Sequence, residues 1–108
     1  MPIPKSVKVG PFQYAIDTTA EANDLLTATD DLGDCSHEKQ RIRIKRGLGP
    51  DMERETAFHE TLHACTSLTG LDHELGEEMD ERVVRRLAPV VLAVLQENPK
   101  LRVYLFDE

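Results

Sequence analysis

The chain has 108 residues, 40% of them apolar and 31% charged, which is enough for one domain with a small core and outside the range of a disordered chain. Thirteen Lys and Arg against 20 Asp and Glu give a formal charge of −7. That balance argues against nucleic acid as a partner, and no apolar run is long enough to span a membrane. The start, Met1-Pro2-Ile3-Pro4-Lys5, lacks the apolar stretch of a secretory signal. Two cysteines, Cys35 and Cys65, make no disulfide framework and are expected as free thiols in the cytoplasm.

In chain order, Val7-Lys8-Val9 and Phe12 to Ile16 alternate as half-buried strands, with Gly10-Pro11 as the turn between them. Asp17-Thr18-Thr19 is a capping segment for a short helix over about Ala20 to Ala28. Thr29 to Asp34 is rich in turn formers and reads as a loop. Arg41-Ile42-Arg43-Ile44-Lys45 is the clearest strand, with both isoleucines on one face and the three cations on the other. Such a strand either turns a solvated basic face outward or, at a sheet edge, receives an extended partner.

After Gly47-Leu48-Gly49-Pro50, Asp51 is the expected N-cap of a helix running to about Thr69, with Gly70 as its left-handed stop. Phe58, Leu62, Cys65 and Leu68 form the expected core stripe. A second long helix is predicted from near Leu75 to Glu97, with a kink or break between Arg85 and Pro89. Val84, Leu87, Ala88, Val91 and Leu95 are its stripe, read as core rather than as a dimer seam in so short a chain. Leu101 to Phe106 is expected as a last strand or an extended wrap.

The segment that carries chemistry is Phe58-His59-Glu60-Thr61-Leu62-His63, a His-Glu-x-x-His motif on a predicted helix. Histidines four apart project from one helix face, roughly 6 Å apart, which suits two ligands of one metal ion. Glu60 lies on the neighbouring face and can reach a metal-bound water without being a ligand. A zinc site with an open corner needs a third protein ligand. The longer motif with a third histidine is absent, because Thr66 and Thr69 occupy the Gly and His positions. Glu81 shares the core-facing stripe of the second helix and is the first choice. Glu77 and Glu78 follow, with His73 and Asp72 of the connecting loop as further alternatives. Glu77, Glu78, Asp80 and Glu81 also sit in the first turns of that helix, whose N-terminal dipole favours negative charge. Cys35-Ser36-His37 offers two further ligand types without partners, and Cys65 falls on the core stripe.

These stretches, from the Ile42-Arg43-Ile44 strand through the Thr56 to Ala64 motif to the Glu81-x-x-Val84-x-x-Leu87-Ala88 helix and the Asn98-Pro99 stop, resemble the minimal zincins of the gluzincin kind. Small phage and bacterial proteins described as metallopeptidases are of this type, and the ImmA/IrrE-type metallopeptidases are similar at greater distance. The resemblance spans most of residues 40 to 100. It implies a single α+β domain over residues 1–108, a three- to four-stranded sheet packed on the motif helix and on a second long helix. It implies His59, His63 and Glu81 as zinc ligands and Glu60 as general base in the hydrolysis of a peptide or protein. A peptide would lie antiparallel along the Ile42 strand, and Tyr14, Tyr104, His37 or His73 would be the uncharged donor to the oxyanion. The alternative reading is a zinc-stabilised binding module of the same shape without turnover.

Overall fold

The computed structural model describes residues 2–106. It is an α+β arrangement of a four-stranded mixed sheet and five helices. Strand β1 (Ser6–Val9) turns through Gly10-Pro11 into β2 (Phe12–Asp17), pairing Val9 with Phe12 and Ser6 with Ala15. Gly10 has φ +58°, the positive value that a two-residue hairpin turn demands at its first central residue. The turn rests on α2: a Cβ at Gly10 would lie 2.5 Å from Leu68 Cδ2.

Helix α1 (Ala20–Thr29) begins at Thr19, whose side chain accepts a hydrogen bond from the Ala22 amide, as the capping residues predict. It packs on the sheet at β4 and buries Ala22 and Leu26. Strand β3 (Gly33–Ser36) then pairs antiparallel with β4 (Arg41–Ile44), and β4 lies parallel to β2, giving the order β1-β2-β4-β3.

Two expectations about this half are corrected. Gly33-Asp34 does not end a loop but opens β3, held to β4 by backbone pairing and by Arg43 Nε donating to Asp34 Oδ1 at 2.8 Å. As a result the Ile42 strand is interior, and β3 is the sheet edge on that side. Its basic face is only partly solvated, since Arg43 is spent on Asp34.

Ile42 and Ile44 are fully buried and meet Val9, Tyr14 and Ala64 in the core. The long helix α2 (Pro50–Thr69) supplies Ala64 and crosses below β3 and β4. Its N-cap is Gly49 rather than Asp51, because Pro50 fits the first helical position, where its missing N–H costs nothing. Asp51 and Glu53 occupy the first turn, and Gly70 (φ +78°) ends the helix as expected. The buried stripe is Thr56, Glu60 and Ala64, rotated from the expected Phe58-Leu62 line, because α2 is covered by the sheet on one side and by α4 on another.

The second long helix forms where it is expected, and the connection before it also winds into helix. A five-residue turn of helix, α3 (Leu71–Leu75), precedes Gly76 at φ +84°, and α4 runs from Glu77 to Glu97. Helix α4 continues through Pro89 instead of breaking there. Val84 and Ala88 are buried, whereas Leu87 and Val91 of the expected stripe are exposed. The tail is helix α5 (Pro99–Phe106), not a strand, and Arg102 Nη1 donates back to Gln96 O at 3.1 Å. Pro99 begins it for the same reason that Pro50 begins α2.

Truncating the buried Ile42 removes three methyl or methylene carbons at the centre of this core. Ile42→Ala should lower unfolding free energy by about 2–5 kcal/mol in a denaturant melt. A loss below about 1 kcal/mol would contradict its central place.

Candidate metal centre

Helix periodicity brings His59 and His63 to the flank of α2 that faces α4, and Glu81 to the opposing flank of α4. One donor atom from each lies within 4.8 Å of the others, and this is the one such trio among the described residues. His59 Nε2 stands 3.0 Å from Glu81 Oε1, and His63 Nε2 stands 2.7 Å from Glu81 Oε2. The rings meet edge-on with centroids 4.9 Å apart. His59, His63 and Glu81 could therefore hold a metal ion. Two ligand atoms at tetrahedral angles on zinc lie roughly 3.3 Å apart, near the two spacings of 3.0 and 2.7 Å between the imidazoles and Glu81.

The donor count supports the fit. His63 Nδ1 lies 2.9 Å from Asp80 Oδ2, so this ring sits between two carboxylates. A neutral imidazole has one N–H and can donate to only one of them. A metal ion at the other nitrogen, facing Glu81, would satisfy both contacts. Asp80 on Nδ1 leaves Nε2 as the atom turned toward Glu81, which is the arrangement by which carboxylates orient metal-binding histidines. Asp80 is 6% exposed, and its Oδ1 is buried without a hydrogen-bond partner. Sequence reading had assigned Asp80 only to the dipole of the helix. The signal that could have found it is its place one residue before Glu81, four before the buried Val84.

Glu60 belongs to the buried stripe of α2, 7% exposed. Burial pushes its carboxyl up to about 7; the neighbouring Glu81 and Asp34 push the same way and His63 opposes them. Burial lowers the His59 pKa, against the pull of Glu81. A groove of about 200 Å³ opens at this point, with Leu32 and Gly33 on one wall, Met52 and Thr56 on another, and His59, Glu60 and Glu81 at its base. Gly33 makes that approach possible: a Cβ there would fall 2.9 Å from Thr56 Cγ2 and 3.2 Å from Glu60 Cγ. Gly33 was hidden in what read as a loop.

The remaining candidates lie elsewhere. Glu77 and Glu78 are exposed in the first turn of α4, with Glu78 3.6 Å from Arg82. Asp72 accepts from Ser67 Oγ at 3.0 Å and from the His73 amide, and His73 is exposed. Tyr14 is fully buried and its hydroxyl contacts His37 Nδ1, while Tyr104 is 83% exposed on α5. None of Tyr14, His37, His73 and Tyr104 lines the groove, so the expected oxyanion donors are not brought to it. The nearest cation is Arg85, 3.6 Å from Glu81 Oε1. Cys35 packs against the core opposite Ile42 and belongs to no ligand cluster, and burial pushes its thiol up to about 12.

No protein-family model, curated protein or solved structure gives a significant match to this chain.

Two outcomes follow from the geometry. Asp80→Asn should weaken divalent-metal affinity about 10–100-fold, the usual effect of losing a carboxylate behind a metal-bound histidine, as read by competition with a chromophoric chelator. Unchanged affinity would remove Asp80 from the site. In the metal-free chain, Glu60 has a folded pKa near 7 against an ordinary value of 4.5. The folded state then holds the extra proton between those values, so this group's stabilisation is complete below 4.5 and lost as pH rises through 7. Relative to the wild type, Glu60→Gln should therefore melt higher at pH 8 than at pH 4.5 when both are measured with chelator. An equal difference at both pH values would contradict the burial of Glu60.

Proposed function

We propose that this chain is a zinc-dependent metallopeptidase of minimal zincin type, hydrolysing peptide bonds of a cytoplasmic peptide or protein. The observation that carries the reading is the convergence of His59, His63 and Glu81 from two helices, with Glu60 at the base of the same groove. Two imidazoles and one carboxylate form the donor set of catalytic rather than structural zinc sites, which close with a fourth protein ligand. Free Cys35 and Cys65 suit a reducing compartment.

A bound zinc ion supplies Lewis-acid polarisation and lowers the pKa of water to about 7. His59, His63 and Glu81 would hold it, with Asp80 orienting the ring of His63. Glu60 accepts a proton from the attacking water and returns it to the leaving amine nitrogen. Its buried setting suits that task, because a base with a pKa near the working pH both takes and gives a proton. The substrate backbone adds to β3, the sheet edge beside α2, rather than to the interior Ile42 strand. Arg85 stands at the rim, next to Glu81.

One observation favours a second reading, a zinc-stabilised binding module without turnover. No uncharged side-chain donor of the kind that stabilises an oxyanion lines the groove, apart from the Thr56 hydroxyl.

The test combines metal content with cleavage. The purified chain should bind one zinc, and His59→Ala and His63→Ala should each lose it. Glu60→Gln should keep zinc and lose about 10²–10⁴-fold in cleavage of a broad peptide library. Failure of the wild type to bind zinc removes both readings. Zinc binding with no cleavage by the wild type selects the module.

A further inference from the structure

We propose that the outer face of α4 docks a second copy of this chain, antiparallel, forming a two-fold dimer. Helix α4 buries Asp80, Val84 and Ala88 on its inner side. About a quarter turn round the helix, at ~100° per residue, lies a second apolar line. Leu87, Val90 and Val94 follow at four- and three-residue spacing from the half-buried Val83, and Val91 flanks them. That spacing is the one a helix–helix seam requires. Leu87 is 51% exposed, Val90 60%, Val94 42% and Val91 37%, although α5 returns against the end of the same helix. The intramolecular core therefore leaves this line uncovered.

Charge selects the occupant. Arg86 and Glu97 are exposed on the same edge of the line, eleven residues or three helical turns apart. Among the described residues neither makes an ion pair. When two helices pair antiparallel, like edges face each other. A two-fold axis through this line, at the level midway between residues 91 and 92, sets Arg86 level with the partner's Glu97, and symmetry repeats the pair. The same axis sets Val90 within one residue's rise, about 1.5 Å, of the level of the partner's Val94. A parallel pair would instead turn the Arg86 edge toward the uncharged side of the stripe, at Val91 and Leu95. The surface is thus complementary to itself in one orientation. Glu81 lies on the other side of α4, so the seam leaves the metal centre open.

A contact of about three helical turns predicts a dimer in the micromolar range. Sedimentation velocity of the full chain, from low micromolar to about 1 mM, should show a monomer–dimer equilibrium. Val90→Asp should give monomer throughout, with unchanged circular dichroism and metal content. Arg86→Glu or Glu97→Arg alone should raise the dissociation constant on the order of tenfold, and the double exchange should restore it. A wild type that stays monomeric to about 1 mM, or a dimer that survives Val90→Asp in folded protein, would overturn the proposal. A double exchange no tighter than either single one would overturn the antiparallel arrangement. Metal loss in His59→Ala, with dimerisation retained, separates this surface from the proposed activity.

Discussion

Two carboxylates bracket one imidazole where α2 crosses α4, and the rest of the molecule can be understood as what holds them there. Asp80 and Glu81 are consecutive, yet they address different nitrogens of His63. Glu81 also reaches His59 through its other oxygen. Without a cation that collection is costly, since partly buried carboxylates and rings must share too few protons. The fold therefore has to supply enough packing elsewhere to keep α2 and α4 together. It does so with Ile42, Ile44 and Tyr14 on the sheet side of α2, and with Val84 and Ala88 on the side of α4.

The same requirement explains the rotation of α2. A helix serving only as a lid on the sheet would turn Phe58 and Leu62 inward along with Cys65 and Leu68, which do pack on the core. Here the sheet side takes Thr56, Glu60 and Ala64, all small or polar, because β3 comes close above them. Gly33 sets that closeness, having no Cβ to meet Thr56 and Glu60. Glu60 thus lies close under an edge strand, and burial raises its carboxyl pKa to about 7. The Glu60 carboxyl and the edge strand β3 border the same groove.

What could be read from the residues alone was local. The spacing of His59 and His63, the stop at Gly70 and the cap at Thr19 are each set within one or two helical turns, and the structure agrees with all three. Glu81 was also legible as the leading partner, because period alone places it on the inward side of its helix. Two of the misses depend on contacts made across the chain. β3 has no β-branched residue and is a strand because β4 offers it pairing and Arg43 offers Asp34 a partner. Asp80 looked like any acid near a helix start until His63 came to meet it. Other misses are local: Pro89 lies inside α4 without ending it, and the tail is a helix because Pro99 suits a first helical position.

Helix α4 therefore divides its circumference among distinct tasks. Glu81 and Asp80 stand on the sector that faces the histidines, and Val84 and Ala88 continue that sector as core. The next sector carries Leu87, Val90 and Val94, which the described chain leaves exposed. An apolar repeat reads the same whether it is answered by the helix's own domain or by another copy, and in so short a chain the core reading takes precedence. The structure separates the two because a helix of ~10 Å diameter can bury only part of its circumference against a single neighbour. Since α2 already occupies the histidine-facing sector, any further apolar residues on α4 must look outward, and their fixed spacing along one rigid helix turns that surplus into an ordered surface rather than a scatter of exposed side chains.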